Sequence, residues 1–188
     1  MEITLNIYKI SHPIIKILLT QINKNKQEEH YKYIGFLLIY EIFRKYIDIN
    51  RIYIKQINKI KYYDVINKNK KYFILTNLSN TYDIINEIKI VLPQIHIIHI
   101  DYSNTVQIER SIKNLKIDLK KDKILIVEKV TQNNKIMNLI KYLKKKKDFN
   151  NQDINIGCIV SNEETLNQIA HHYPKLKVYT TKIIYQNK

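Results

Sequence analysis

The stretch Lys123-Ile124-Leu125-Ile126-Val127-Glu128 places four consecutive apolar residues between charged ones. So short a run with no polar alternation reads as a β-strand buried on both faces, the kind found in parallel sheets. Tyr72–Leu75, Ile95–Ile100 and Ile154–Val160 read the same way, and Leu176–Ile184 reads as a last strand. Between them lie segments with helical spacing: residues 80–91, residues 134–147 and residues 163–171. Strands that alternate with helices predict an α/β fold, a mostly parallel central sheet flanked by helices and joined by right-handed crossovers. Residues 102–118 break the alternation and are expected to be irregular, in the manner of a flexible hairpin.

Toward the N-terminus, His12-Pro13 precedes Ile14, Ile15, Ile17, Leu18 and Leu19, which predicts a short helix with proline in its first turn. A polar break at 23–29 follows, then a long helix over residues 27–46. Its apolar side chains cover more than one face, so it is either a buried central helix or part of a dimer interface. Arg51–Ile57 and Tyr62–Ile66 alternate and would pair as the arms of a β-hairpin. No repeat, low-complexity block or linker divides the chain, and residues 1–188 are expected to form one domain.

The composition excludes several classes. Two glycines and three prolines rule out collagen-like sequence, and one cysteine, Cys158, rules out an internal disulfide or a thiolate-built zinc site. Cys158 beside Gly157 in mid-strand reads as a small buried hydrophobe. No apolar run reaches the roughly 18 to 20 residues of a membrane span, and the N-terminus has neither signal-peptide nor transit-peptide character. Ile, Lys, Asn and Tyr supply 104 of 188 residues, against three arginines and a single alanine. All four have AT-rich codons, which points to a plastid or another reduced genome. A plastid-made protein is the expected source, a cytoplasmic one the alternative. The net charge of +15 would ordinarily suggest a nucleic-acid partner. Because lysine is the charge an AT bias supplies, RNA binding is only weakly supported by that number.

Ligands of such sheets bind beyond the carboxyl ends of the strands. The turn after Leu75 contains Ser79 and Asn80, the turn after Ile100 contains Asn104, and the turn after Val127 runs Glu128-Lys129-Val130-Thr131-Gln132-Asn133-Asn134-Lys135. None has the glycine that lets backbone N–H groups approach a phosphate. The last admits two readings, a phosphate loop with Asn133 and Asn134 in the special backbone positions or an ordinary capped turn. The six histidines have no metal-binding spacing. His96 and His99 lie on opposite faces of their strand, and no metal site is expected.

In order and spacing, four short segments resemble the uracil phosphoribosyltransferase family. His12-Pro13-Ile14-Ile15-Lys16 is similar to its H-P-L-V-K opening, and Gly35-Phe36-Leu37-Leu38-Ile39-Tyr40-Glu41 to its G-x-L-L-x-Y-E helix. Residues 93–100 resemble P-S-A-R-V-G-H-I, and residues 173–180 resemble H-P-D-V-E-I-Y-T. The resemblance implies the type I phosphoribosyltransferase fold, a homodimer, and a reaction joining uracil to phosphoribosyl pyrophosphate with magnesium. It also implies that most of the machinery has gone. Ser79 stands at the family's pyrophosphate-binding arginine, beside Asn80, and Asn104 stands at a second arginine. The D-P-M-L-A-T-G-G-S loop falls on the stretch from Glu128, where only the acid survives, as Glu128, able to contact ribose hydroxyls. Lys129, Thr131, Asn133, Asn134 and Lys135 make up the rest of this degenerate loop. The uracil-reading Y-I-V-P-G-L-G-D-A-G-D segment has no counterpart before Lys188. Lost arginines remove bidentate contacts that lysine does not reproduce. The expectation is a pseudoenzyme with a binding or structural role, weak or lost substrate binding and no cofactor. The alternatives are an active enzyme of pyrimidine salvage using magnesium, with Lys129 and Lys135 replacing the arginines, and an RNA-binding regulator on the same fold.

Overall fold

The computed structural model describes residues 5–25, 29–102, 104–113, 115–118, 121–131, 135–147 and 154–185. Its elements run β1 (Asn6–Lys9), α1 (Pro13–Asn25), α2 (Glu29–Tyr46), β2 (Ile49–Gln56), β3 (Lys59–Ile66), β4 (Tyr72–Thr76), α3 (Leu78–Val91) and β5 (His96–His99). They continue with α4 (Thr105–Lys113), β6 (Lys123–Thr131), α5 (Lys135–Lys147), β7 (Ile154–Asn162), α6 (Glu163–His172) and β8 (Lys177–Ile184). Six strands form one sheet in the order β1-β8-β7-β6-β4-β5. Every pairing in it is parallel. β2 and β3 form a separate antiparallel hairpin.

Strand alternation sends the side chains of the central strands into two cores. On β6, Ile124 and Ile126 pack with α4, α5 and α6, while Leu125 and Val127 pack with α1, α2 and α3. Each fully buried side chain of this size is worth roughly 1.5–3 kcal/mol of hydrophobic stabilisation. The sheet therefore has apolar layers on both faces. α2 is the central helix of one layer, burying Ile34, Leu38, Ile39, Ile42 and Phe43. It passes so close to α3 that a Cβ on Gly35 would overlap Cγ2 of Ile84.

Three expectations need correction. Residues 102–118 are not a hairpin, since α4 occupies Thr105–Lys113. Asn104 starts it, its Oδ1 accepting from the Val106 N–H at 2.9 Å, and Ile108 and Ile112, one turn apart, bury its single apolar stripe. Residues 128–131 are not a turn. β6 runs on to Thr131, with Glu128 opposite Cys158 and Thr131 opposite Ser161. The sheet also has a strand that the sequence did not announce, β1, which adds to β8 at one edge.

Candidate functional site

A cavity of about 450 Å³ opens at the carboxyl ends of β4, β5 and β6. The β4–α3 turn forms one wall. Asn77 caps α3, its Oδ1 accepting from the Ser79 N–H at 3.1 Å. Beneath it a buried hydroxyl chain fixes the turn: Thr76 Oγ1 lies 2.6 Å from Thr81 Oγ1 and donates to the Val127 carbonyl at 2.7 Å. Helical spacing then sets Ser79, Asn80 and Asp83 along the cavity. Asp101 and Tyr102, just after β5, form the second wall, and Glu128, Lys129, Thr131 and Lys135 the third.

Glu128 dominates the electrostatics. Its Oε1 is buried and finds no hydrogen-bond partner among the described residues. Burial pushes its carboxyl up to about 7, against the opposing effects of the Tyr102 hydroxyl and the Lys135 charge. Burial, the largest cause, also raises the Tyr102 hydroxyl, and the Glu128 charge adds to it. Such a carboxyl, near neutrality and short of a donor, accepts hydrogen bonds from ligand hydroxyls or moves a proton.

The expected site residues fare unequally. Ser79, Asn80, Glu128, Lys129, Thr131 and Lys135 all come to this one cavity. Thr131 is buried, and its Oγ1 is already engaged by the Asn162 N–H at 3.0 Å. Lys129 holds its ammonium 4.0 Å from the centre of the Tyr31 ring. Asn104 is spent as the cap of α4 and does not line the cavity. Asn133 and Asn134 lie outside the described residues. Asn77, Asp83, Asp101 and Tyr102 are cavity residues that the sequence reading did not assign. Ser79 and Asp83 stand four apart on a helix, a spacing that could have found the second of them.

No histidine joins the site. His99 Nδ1 accepts from the Leu78 N–H at 3.1 Å, and His96 stacks on Phe73 with ring centres 5.2 Å apart. Among the described residues no group of three or more His, Cys, Asp or Glu side chains is placed to hold a metal ion. Asp83, Asp101 and Glu128 are oxygen donors of the type magnesium takes, so that ion would fit here only as the salt of a phosphorylated substrate, held by one or two carboxylates. Among the described residues no helix is long and apolar enough to cross a membrane.

The sequence model of the family described as Uracil phosphoribosyltransferase matches residues 9–186. A solved structure of the AQ2163 protein from Aquifex aeolicus superimposes with a TM-score of 0.68 at 15% identity, covering 97% of this chain and 89% of that one. That likeness concerns the fold: a parallel six-stranded sheet flanked by helices, with a β-hairpin. No curated protein sequence matches the chain.

Proposed function

Because the chain belongs to the uracil phosphoribosyltransferase family, we propose that it is a non-catalytic member, one that retains the fold and a ribose-type pocket without transferring a phosphoribosyl group. The observation that carries this reading is the charge of the cavity. Its ionisable lining is Asp83, Asp101 and Glu128 against Lys129 and Lys135, and none of the three arginines is among its lining residues. Arg44 pairs with Glu41, Arg51 pairs with Asp64 on the hairpin, and Arg110 lies in the last turn of α4. A leaving pyrophosphate needs preorganised cationic or N–H donors. Here two aspartates and a half-protonated Glu128 offset the two lysines, and one lysine faces an aromatic ring. Glu128 offers its unpartnered oxygen to hydroxyl donors, which suits a sugar better than a phosphate chain.

Calorimetry with magnesium phosphoribosyl pyrophosphate, with and without uracil, tests this. The expected result is no heat of binding at millimolar ligand and no uracil-dependent release of pyrophosphate. Micromolar binding, or turnover at high protein concentration, would establish the salvage enzyme instead, with magnesium and the two lysines doing the arginines' task.

The same reading includes a homodimer, and the hairpin supports it. From Ile49 to Asp64 every residue of β2 and β3 is exposed on both faces, including Ile52, Tyr53, Ile54, Tyr62 and Tyr63. A two-stranded ribbon is marginal by itself in water, and such apolar surface is normally covered. Light scattering is expected to give twice the chain mass at micromolar concentration, and the doubly substituted Tyr53→Ser/Tyr62→Ser variant the monomer mass. A monomeric parent chain would remove the dimer from the reading. The AT-coded composition supports synthesis within a plastid.

A further inference from the structure

At the opposite edge of the sheet lies a second concavity, separated from the first by β8 and β7. It has two lobes, of about 590 and 410 Å³. Both are lined by Lys9, Ile10, Ser11 and Ile15, so they adjoin along the end of β1 and the start of α1 and are treated together as one trough. Lys16 and Lys182 extend into one lobe. Arg44 and Lys45 of α2 extend into the other, where Glu41 is the single acid and is already paired with Arg44 at 3.0 Å. The second lobe is also aromatic. Tyr8 stacks on Tyr179 with ring centres 4.8 Å apart, Lys45 stands 4.8 Å from the centre of the Tyr8 ring, and Tyr40 is 56% exposed beside them.

We propose that this trough binds a single-stranded nucleic acid, with Lys9, Lys16, Lys45 and Lys182 meeting successive phosphates and Tyr40 stacking on a base. The trough combines the two components of such sites, a cationic groove that follows the backbone and an aromatic platform for the bases. The net charge of +15 brings a polyanion toward the whole surface, whereas the shape, the near absence of acids and the tyrosines are local. An acidic peptide would use the lysines and leave Tyr40 idle. The proposal does not depend on the reading of the strand-end cavity.

Fluorescence anisotropy with labelled oligouridylate and oligothymidylate, over a range of salt, tests it. The parent chain is expected to bind, with affinity falling steeply as salt rises. Lys9→Ala/Lys45→Ala should weaken binding at least tenfold at low salt and lower the salt slope by about 1.4, at roughly 0.7 per phosphate contact. Tyr40→Ala should weaken binding about tenfold at every salt concentration, and Tyr40→Phe should restore it. The control Lys55→Ala/Lys61→Ala removes the same charge from the hairpin and should change little. Preference for the uridylate would identify RNA as the partner, and equal binding would identify single strands generally. Equal losses from the trough and hairpin variants, an inert Tyr40→Ala, or no binding at low salt would each overturn the proposal. Unchanged melting temperatures show that these exposed substitutions leave the fold intact.

Discussion

Glu128→Gln is expected to match the parent chain in stability at pH 4 and to exceed it at pH 8. The sign follows from the direction of the shift. Burial raises the carboxyl to about 7 in the folded protein from an ordinary 4.5. Between those values the native chain holds a proton that the unfolded chain has released, so stability falls as pH rises through the window and is level above it. A displacement of this size corresponds to about 3 kcal/mol. Glutamine is neutral throughout and lacks the slope, and comparison at pH 4, where both side chains are uncharged, removes differences in packing. Urea melts of both proteins from pH 4 to 8 measure the effect. Parallel curves would mean that the carboxyl is well solvated, and the hydroxyl-accepting pocket would go with it.

Gly35→Ala is expected to destabilise, against the ordinary helix preference. Alanine in a helix interior gains up to about 1 kcal/mol over glycine. Here the added Cβ would overlap Cγ2 of Ile84 and come within 2.9 Å of its Cβ. A Cβ is fixed to the α3 backbone, so no rotamer relieves that contact and the helices must separate. Overpacking of this kind costs about 1–3 kcal/mol, and more for a larger side chain. It therefore cancels or exceeds the helical gain for alanine and exceeds it clearly for Gly35→Val. Ile84→Ala alone should cost about 2–5 kcal/mol through its cavity. The double variant Gly35→Ala/Ile84→Ala should cost less than the two separately, with a coupling of about 0.5–3 kcal/mol. Strict additivity in a thermal-melt cycle would place the α2–α3 contact elsewhere.

The sequence made the inner strands legible because burial on both faces leaves an unbroken apolar run, as at Phe73-Ile74-Leu75 and Ile124–Val127. It was silent on β1, whose four residues are all exposed and carry no periodicity. It was misleading at α4, where only Ile108 and Ile112 are buried among polar neighbours and two positions are too few to display a period. The end of β6 was misplaced for a related reason. Beyond Val127 the strand carries mostly polar residues that are only partly buried, and polar residues on a strand look like a turn. The same extension bears on the site, since Thr131 holds a strand position with its Oγ1 accepting from the Asn162 N–H. Glu128 could be assigned because the family motif fixes an acid there. Asp101 and Tyr102 could not, because only the fold brings separate strand ends to one cavity.

The pairing of β1 with β8 has a consequence for the order of events during synthesis. Of the described strands of the sheet, Asn6–Lys9 is earliest in the sequence, and the one it pairs with, Lys177–Ile184, is latest. Inner strands β4, β6 and β7 emerge in the order in which they pair, so their pairing does not depend on β8. β1 must wait until β8 has been made, with Tyr8 deprived until then of the Tyr179 ring on which it finally stacks. Closing the sheet is thus a long-range step that comes late, where the entropy of joining distant segments is greatest. A ribosome-stalled chain ending before residue 177 would have the central strands without this seam, and proteolysis of such a chain should begin at its N-terminal segment.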